Sequence, residues 1–237
     1  MYLLKNWDNK TWLSSIAYIN SFNNFLLKKK NLNKNSHILD IGCGRGKIFG
    51  SLSRKLKLIN KPIGIDPVAH KDVDKSIDFR NEDVFEFFKN NKDKFDLIMI
   101  KQTLHFFNKK KRLKLLEASK NNLNKNGVLL IFSLNTLNNE IPCFKLMKQK
   151  LNKGLKRDSK MIKSACKILK NNEIDKFKFK VSITKNKYTQ MLNQKYISCL
   201  INLSKTQIMK GTNEIKNTYS NKISFMDVLI CIKYKHQ

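Results

Sequence analysis

A chain of 237 residues carries 48 Lys and Arg against 18 Asp and Glu, a formal net charge of +30. The length suits one large α/β domain with insertions, or two small ones, with a core that needs no metal or disulfide. Five scattered cysteines without a C-x-x-C pair argue against a zinc site or a secreted disulfide framework. No apolar run approaches the roughly 20 residues that span a bilayer, and Met1–Asp8 holds no long apolar leader, so a reduced, cytoplasmic, non-membrane protein is expected.

Thr11–Lys28 reads as an amphipathic helix, with Trp12, Ile16, Ile19, Phe22 and Leu26 at three- and four-residue steps. A polar link to Ser36 precedes a first strand, His37–Ile41, and a helix at Lys47–Lys57. Ile63–Asp66 is a second strand closed by Pro67, a third lies near Ile77–Arg80, and Val84–Lys89 is a short helix. Phe95–Ile100 is continuously apolar, as a parallel strand covered on both faces should be. Asn108 caps a helix through Asn122, Asn126-Gly127 turns the chain, and Val128–Leu134 is a fifth strand.

After Leu134 the rhythm changes. Phe144, Met147, Leu151 and Leu155 mark one helical face in a basic stretch after Pro142, and Met161, Ile162, Ala165, Ile168 and Leu169 mark the next. Phe177, Phe179, Val181 and Ile183 alternate with polar residues as a half-buried strand. Ser204-Lys-Thr-Gln207 has capping-box spacing for a helix into Asn217, and Ser224–Tyr234 is a last strand. Strands alternating with helices imply a parallel sheet with right-handed crossovers.

The most informative stretch is Asp40-Ile-Gly42-Cys43-Gly44-Arg45-Gly46, where the first strand runs into a glycine-rich turn before a helix. Glycines let backbone approach a bound ligand closely, and helix N-terminal N–H groups favour a carboxylate or phosphate. A dinucleotide turn needs G-x-G-x-x-G/A, but Lys47 stands three residues after Gly44. An aminocarboxylate therefore fits better than a pyrophosphate. Asp66 ends the second strand, where a carboxylate can accept both ribose hydroxyls. Asp83 sits where it would meet an adenine amino group, with Val84 offering backbone contact.

Taken together, Ile38–Gly46, Gly64-Ile-Asp66, Glu82-Asp83-Val84, Phe95–Ile100 with Leu104-His-Phe106, and Gly127–Ile131 resemble the class I S-adenosylmethionine-dependent methyltransferases, of the small-molecule type. The resemblance covers residues 38–134. It implies a Rossmann-like, seven-stranded, mostly parallel sheet with an antiparallel last strand, helices on both faces and a helical lid insertion. It also implies S-adenosylmethionine as cofactor, S-adenosylhomocysteine as product, and no metal. Gly42 and Gly44 would line the methionine part, with Asp40 holding the loop and the amino group. Asp66 would hold the ribose and Asp83 read the adenine. Cys43, Gly46, Pro67, Val84 and Lys101 complete the expected cofactor set. The domain boundaries follow: a cap helix and linker over 1–36 and the methyltransferase domain over 37–237, with 136–176 and 185–220 as acceptor-side lid.

Methyl transfer from a sulfonium is an in-line displacement, so orientation and water exclusion can supply most of the acceleration. A general base is needed only when the acceptor holds its proton. Lys101-Gln-Thr-Leu-His105-Phe-Phe follows the fourth strand, where the adenine-type base methyltransferases carry N/D-P-P-Y/F; this chain does not. His105 is a candidate base or hydrogen-bond partner, or else a cap for the next helix. Lys101 is a candidate for orienting an anionic acceptor. Aromatic faces favour a sulfonium, which makes Tyr18, Trp12 and Phe106 candidates, although Trp12 and Phe106 read first as core. Tyr196 and Ser198 are candidate acceptor contacts.

The charge has two readings. Only five of the basic residues are Arg, the residue that reads phosphates bidentately, while Asn is abundant. That pattern favours coding bias over a nucleic-acid surface. A small metabolite, with a carboxylate-bearing one as the leading case, is the expected acceptor, with a monomer or homodimer and no membrane partner. An RNA methyltransferase, or a non-catalytic binding module on the same fold, is the alternative.

Overall fold

The computed structural model describes residues 11–237. The first ten residues of the expected cap segment lie outside the described residues.

Seven strands form one sheet: β1 (Ile38–Ile41), β2 (Ile63–Ile65), β3 (Asp78–Arg80), β4 (Phe95–Lys101), β5 (Leu123–Leu134), β6 (Asn172–Thr184) and β7 (Lys222–Lys235). Their order is β3-β2-β1-β4-β5-β7-β6. The pairs among β1–β5 are parallel, and β7 runs antiparallel to both β5 and β6. The antiparallel last strand is the one expected. β4 is buried from Leu97 to Ile100 because helices cover both of its faces.

The helices are α1 (Ile16–Lys29), α2 (Lys47–Leu56), α3 (Val84–Asn90), α4 (Lys109–Asn121), α5 (Lys145–Ile168), α6 (Lys185–Asn193) and α7 (Lys205–Thr218). Two apolar clusters lie on the two faces of the sheet. One joins α1, α2, α6 and α7 to Leu97, Met99, Leu130 and Phe132. The other joins α3 and α4 to Ile98, Ile100, Leu129 and Ile131. Helix α5 belongs to both: Met147, Leu151 and Leu155 pack in the first cluster, Met161, Ile162 and Ala165 in the second. At 24 residues it is about 36 Å long. It therefore passes from one face of the sheet to the other, and Asp158 sits at the crossing.

Several boundaries differ from the sequence expectation. The first helix begins at Ile16, because Thr11 and Ser15 each cap separately. Thr11 Oγ1 accepts from the Leu13 N–H of a short 3-10 turn, Trp12–Ser14, and Ser15 Oγ accepts from the Tyr18 N–H. The two helical faces expected after Pro142 are one continuous helix. β5 starts at Leu123, earlier than Val128, and Asn126 takes a positive φ of 62° inside it. β6 begins at Asn172, so residues 172–176 of the expected lid belong to the sheet. Around α7 both halves of the capping box form: Ser204 Oγ accepts from the Gln207 N–H, and Gln207 Oε1 accepts from the Ser204 N–H.

Candidate active site

The strand order reverses between β1 and β4, and in open α/β sheets ligands bind at the carboxyl ends of strands beside such a switch point. A cavity of about 370 Å³ lies there, lined by residues that follow β1, β2 and β4, by the end of β5, and by Asp158 and Tyr196–Ser198 above.

The donor end is built by the glycine turn. Gly42, Gly44 and Gly46 all adopt positive φ, at 75°, 56° and 68°. The Gly42 and Cys43 N–H groups donate to the Ile65 carbonyl, 2.8 and 3.1 Å, which ties the turn to β2. A Cβ on Gly42 would overlap the Thr103 side chain, and one on Gly46 would overlap Ile77. At Gly44 the space is open. Gly46 caps α2 without any side-chain hydrogen bond, leaving the first turn of the helix uncapped by side chains.

Three acids surround the turn. Asp66 Oδ2 accepts from the Gly44 N–H at 2.9 Å, and Oδ1 accepts from the Val68 N–H at 2.9 Å, with His70 Nε2 3.4 Å away. Asp83 Oδ1 accepts from the Phe85 N–H at 2.7 Å, so Asp83 caps α3 while also lining the cavity. Asp40 is buried, and its Oδ1 has no hydrogen-bond partner. Burial pushes its carboxyl up to about 8, against the pull of nearby Lys101 and with a further push from Asp66. The Cys43 thiol is likewise raised by burial, then by Asp40 and Asp66. It packs against Gly64, where a Cβ would crowd Sγ.

Beyond β4 the chain turns sharply. Gln102 has φ 52°, an uncommon conformation for a residue with a side chain, and its N–H donates to the Phe132 carbonyl at 2.8 Å. Such strain is often held at functional sites. His105 follows on a 3-10 turn, Leu104–Phe106. It does not cap the next helix, since Asn108 Oδ1 accepts the Lys111 N–H at 2.9 Å. The buried His105 Nε2 has no hydrogen-bond partner. Burial lowers the imidazole pKa below its ordinary value, Asp158 raises it and Arg157 lowers it. Phe106 is 44% exposed and lines the cavity, which corrects its reading as core.

Of the residues singled out in the sequence, the cavity brings together Gly42, Asp66, Pro67, Asp83, Val84, Lys101, His105, Phe106, Tyr196 and Ser198. Asp40, on β1, and Cys43, Gly44 and Gly46, in the turn, are not among its lining residues. Tyr18 and Trp12 are buried in the core and do not line it. The Tyr18 ring instead lies 5.6 Å from Lys101 Nζ. Asp158, His70 and Ser133 line the cavity without having been singled out. Asp158 was legible: it is a single acid on a basic helix, three residues after Leu155 and three before Met161, on the buried face.

A methyltransferase-domain family model matches residues 15–153, more than half of the chain, and the chain belongs to that family. The solved structures it resembles share its class I fold. One, from Anabaena variabilis and described as a methyltransferase of an antibiotic biosynthesis pathway, is 14% identical over 89% of this chain and 95% of that one, with a TM-score of 0.63. The plantazolicin methyltransferase BpumL, solved with a monoazolic desmethyl analogue and S-adenosylhomocysteine, is 16% identical over 98% and 88%, with a TM-score of 0.52. A methyltransferase-like protein of Bacillus halodurans is 12% identical over 91% and 98%, TM-score 0.53. A search of curated proteins finds no match.

S-adenosylmethionine, the donor expected from the sequence, stands on that membership. Two features of the turn fit it: a buried carboxylate oxygen without a partner at Asp40, and open space at Gly44. Among the described residues, no group of three or more His, Cys, Asp or Glu side chains is placed to hold a metal ion. None of their helices is long and apolar enough to cross a membrane.

Proposed function

We propose that the protein transfers a methyl group from S-adenosylmethionine to a small, carboxylate-bearing metabolite. The observation that carries this reading is a single cavity whose donor end holds Asp66 and Asp83 and whose other end holds Lys101, His105, Tyr196 and Ser198. Its volume, about 370 Å³, falls in the range of small-molecule sites.

On this reading Asp40, Gly42, Cys43, Gly44, Gly46, Asp66, Pro67, Asp83 and Val84 hold the donor. Helix α5 and the segment 185–220 form the acceptor side. The donor supplies an activated methyl on a sulfonium, so the chain's task is alignment and exclusion of water. Lys101 attracts an acceptor carboxylate. His105, held neutral at pH 7 by burial, presents Nε2 to an acceptor proton. A carboxylate oxygen needs no such base; a hydroxyl or amine on the same molecule would.

Two measurements test this. S-adenosylhomocysteine should bind at micromolar strength by calorimetry, and Asp66→Ala should weaken it about a hundredfold, since the Gly44 N–H loses its acceptor along with the proposed ribose contact. Labelled cofactor incubated with a metabolite extract should then yield a labelled small acid. Absence of cofactor binding in the wild-type protein would sink the enzyme reading, and label appearing only in RNA would replace it with the nucleic-acid alternative.

A further inference from the structure

Two buried acids stand in apolar registers, and the fold serves them differently. Along β7 the inward register reads Ile223, Phe225, Asp227, Leu229 and Cys231, so Asp227 stands where the pattern asks for an apolar residue. It is 2% exposed, and Trp12 Nε1 donates to its Oδ2 at 2.8 Å, so the core supplies its partner. On α5, Asp158 is the one acid in 24 residues and is 8% exposed. It lines the cavity and has no part in the function proposed above.

Only one of the Asp158 oxygens is served. Arg157 Nε donates to Oδ1 at 3.0 Å, and Arg157 Nη2 lies 2.9 Å from the same atom. Among the described residues no hydrogen bond reaches Oδ2. The Arg157 side chain is 56% exposed, so solvent screens the charge it offers. Tyr196 lines the same cavity, but its proton is committed elsewhere. Tyr188 O–H donates to the Pro142 carbonyl, so across the 3.1 Å hydroxyl pair it is Tyr196 that donates to Tyr188. Water can serve Oδ2 while the cavity is open. Methyl transfer needs water excluded, and a carboxylate oxygen sealed from water without a donor is strongly unfavourable. The occupant of the acceptor end therefore has to bring the donor. A hydroxyl would complete the hydrogen bond. An ammonium also balances the charge, and charge-assisted bonds are roughly twice as strong as neutral ones.

We propose that Asp158 is an acceptor-binding residue that takes an ammonium group, so that the methyl acceptor is a zwitterion carrying a basic nitrogen as well as a carboxylate. The inference rests on the proposed function and names the substrate class of the same site. Arg157 fixes the Asp158 carboxylate by one oxygen, which leaves the other for the ligand.

The test uses the full chain, methyl-labelled S-adenosylmethionine and a metabolite extract. At about pH 2 carboxylates are neutral and basic nitrogens are charged. The labelled small-molecule product, once separated from the cofactor, should therefore be retained on a cation-exchange resin whichever of its atoms was methylated. Asp158→Asn keeps the shape of the side chain and removes its charge. It should need about tenfold more extract to reach half-maximal labelling. Its affinity for S-adenosylhomocysteine should be unchanged. A labelled product that passes through the resin overturns the proposal and leaves the function standing, as does a folded Asp158→Asn protein whose labelling curve is not shifted. If that variant does not fold, the resin alone decides. Failure of the wild type to bind S-adenosylhomocysteine, or to label any small molecule, is a separate result and sinks the function proposed above.

Discussion

Asp40 concentrates the physics of the donor end in one side chain. Its carboxyl is neutral in the folded chain up to about pH 8, whereas an unfolded aspartate ionises near 3.9. Between those values the folded chain binds one more proton than the unfolded chain, so this group's contribution to stability falls as pH rises from about 4 to about 8. Asp40→Asn should therefore raise the melting temperature of the cofactor-free protein at pH 8 by several degrees and change it little at pH 4.5. On the proposed reading, the ammonium that S-adenosylmethionine and S-adenosylhomocysteine share would lie beside Asp40 and favour its ionised form. Binding of S-adenosylhomocysteine at pH 7 should release a proton, seen as a buffer-dependent calorimetric enthalpy, and Asp40→Asn should remove that dependence. Gly42 is a second point of leverage. Its φ of 75° and the Thr103 side chain against it mean that Gly42→Ala should cost about 1–3 kcal/mol in denaturant unfolding and weaken donor binding as well.

At the scale of elements, α5 matters most. Its apolar stripe changes cluster between Leu155 and Met161, which carries the helix across the sheet and delivers Asp158 to the cavity opposite His105. The charge of Asp158 favours the imidazolium, against burial. For an acceptor that must lose a proton, the acid limb of the pH–rate profile should lie below pH 6.5, the ordinary histidine value. In Asp158→Asn it should move lower still, since the charge that favours the imidazolium is gone. A limb that stays in place would mean that His105 is not the base. The length of α5 was not legible, because Gly154 and the polar run Lys156–Lys160 separate its two apolar faces in sequence. Only packing on both sides of the sheet shows that they belong to one helix. The N-terminal boundary failed for a local reason: Thr11 and Ser15 are both competent caps, and periodicity alone cannot rank them.

At the scale of the whole molecule, the net charge of +30 needs a reading. On the sheet edge, β6 turns Lys176, Lys178 and Lys180 outward, where lysines discourage strand pairing with another copy. Long exposed lysines with few arginines suit solubility better than phosphate recognition. Retention on immobilised RNA should be weak and lost by about 0.2 M salt, and it should not compete with S-adenosylhomocysteine. Tight retention with a steep salt slope would favour the RNA alternative.

The sequence alone determined the strand-and-turn frame of the donor end. Its expected residues fall in short segments, Ile38–Gly46, Ile63–Pro67 and Asp83–Val84, in which a strand, a turn and a helix start follow each other within a few positions. Local spacing therefore carries the geometry: glycines at positive φ can be read from the residues that permit it, and a carboxylate at a strand end from the strand itself. The acceptor end was decided by tertiary structure. The Trp12 and Tyr196 rings lie 5.3 Å apart, and His105 and Asp158 line one cavity, across more than fifty positions in each case, so no spacing rule links them. Tyr18 shows the cost of reading such residues singly: its position on the first helix suggested the cavity, and packing placed it in the core beneath Lys101. Side chains brought together by long-range packing leave in the sequence only isolated irregularities, an acid in an apolar register on β7 and another on α5, and the fold supplies their partners.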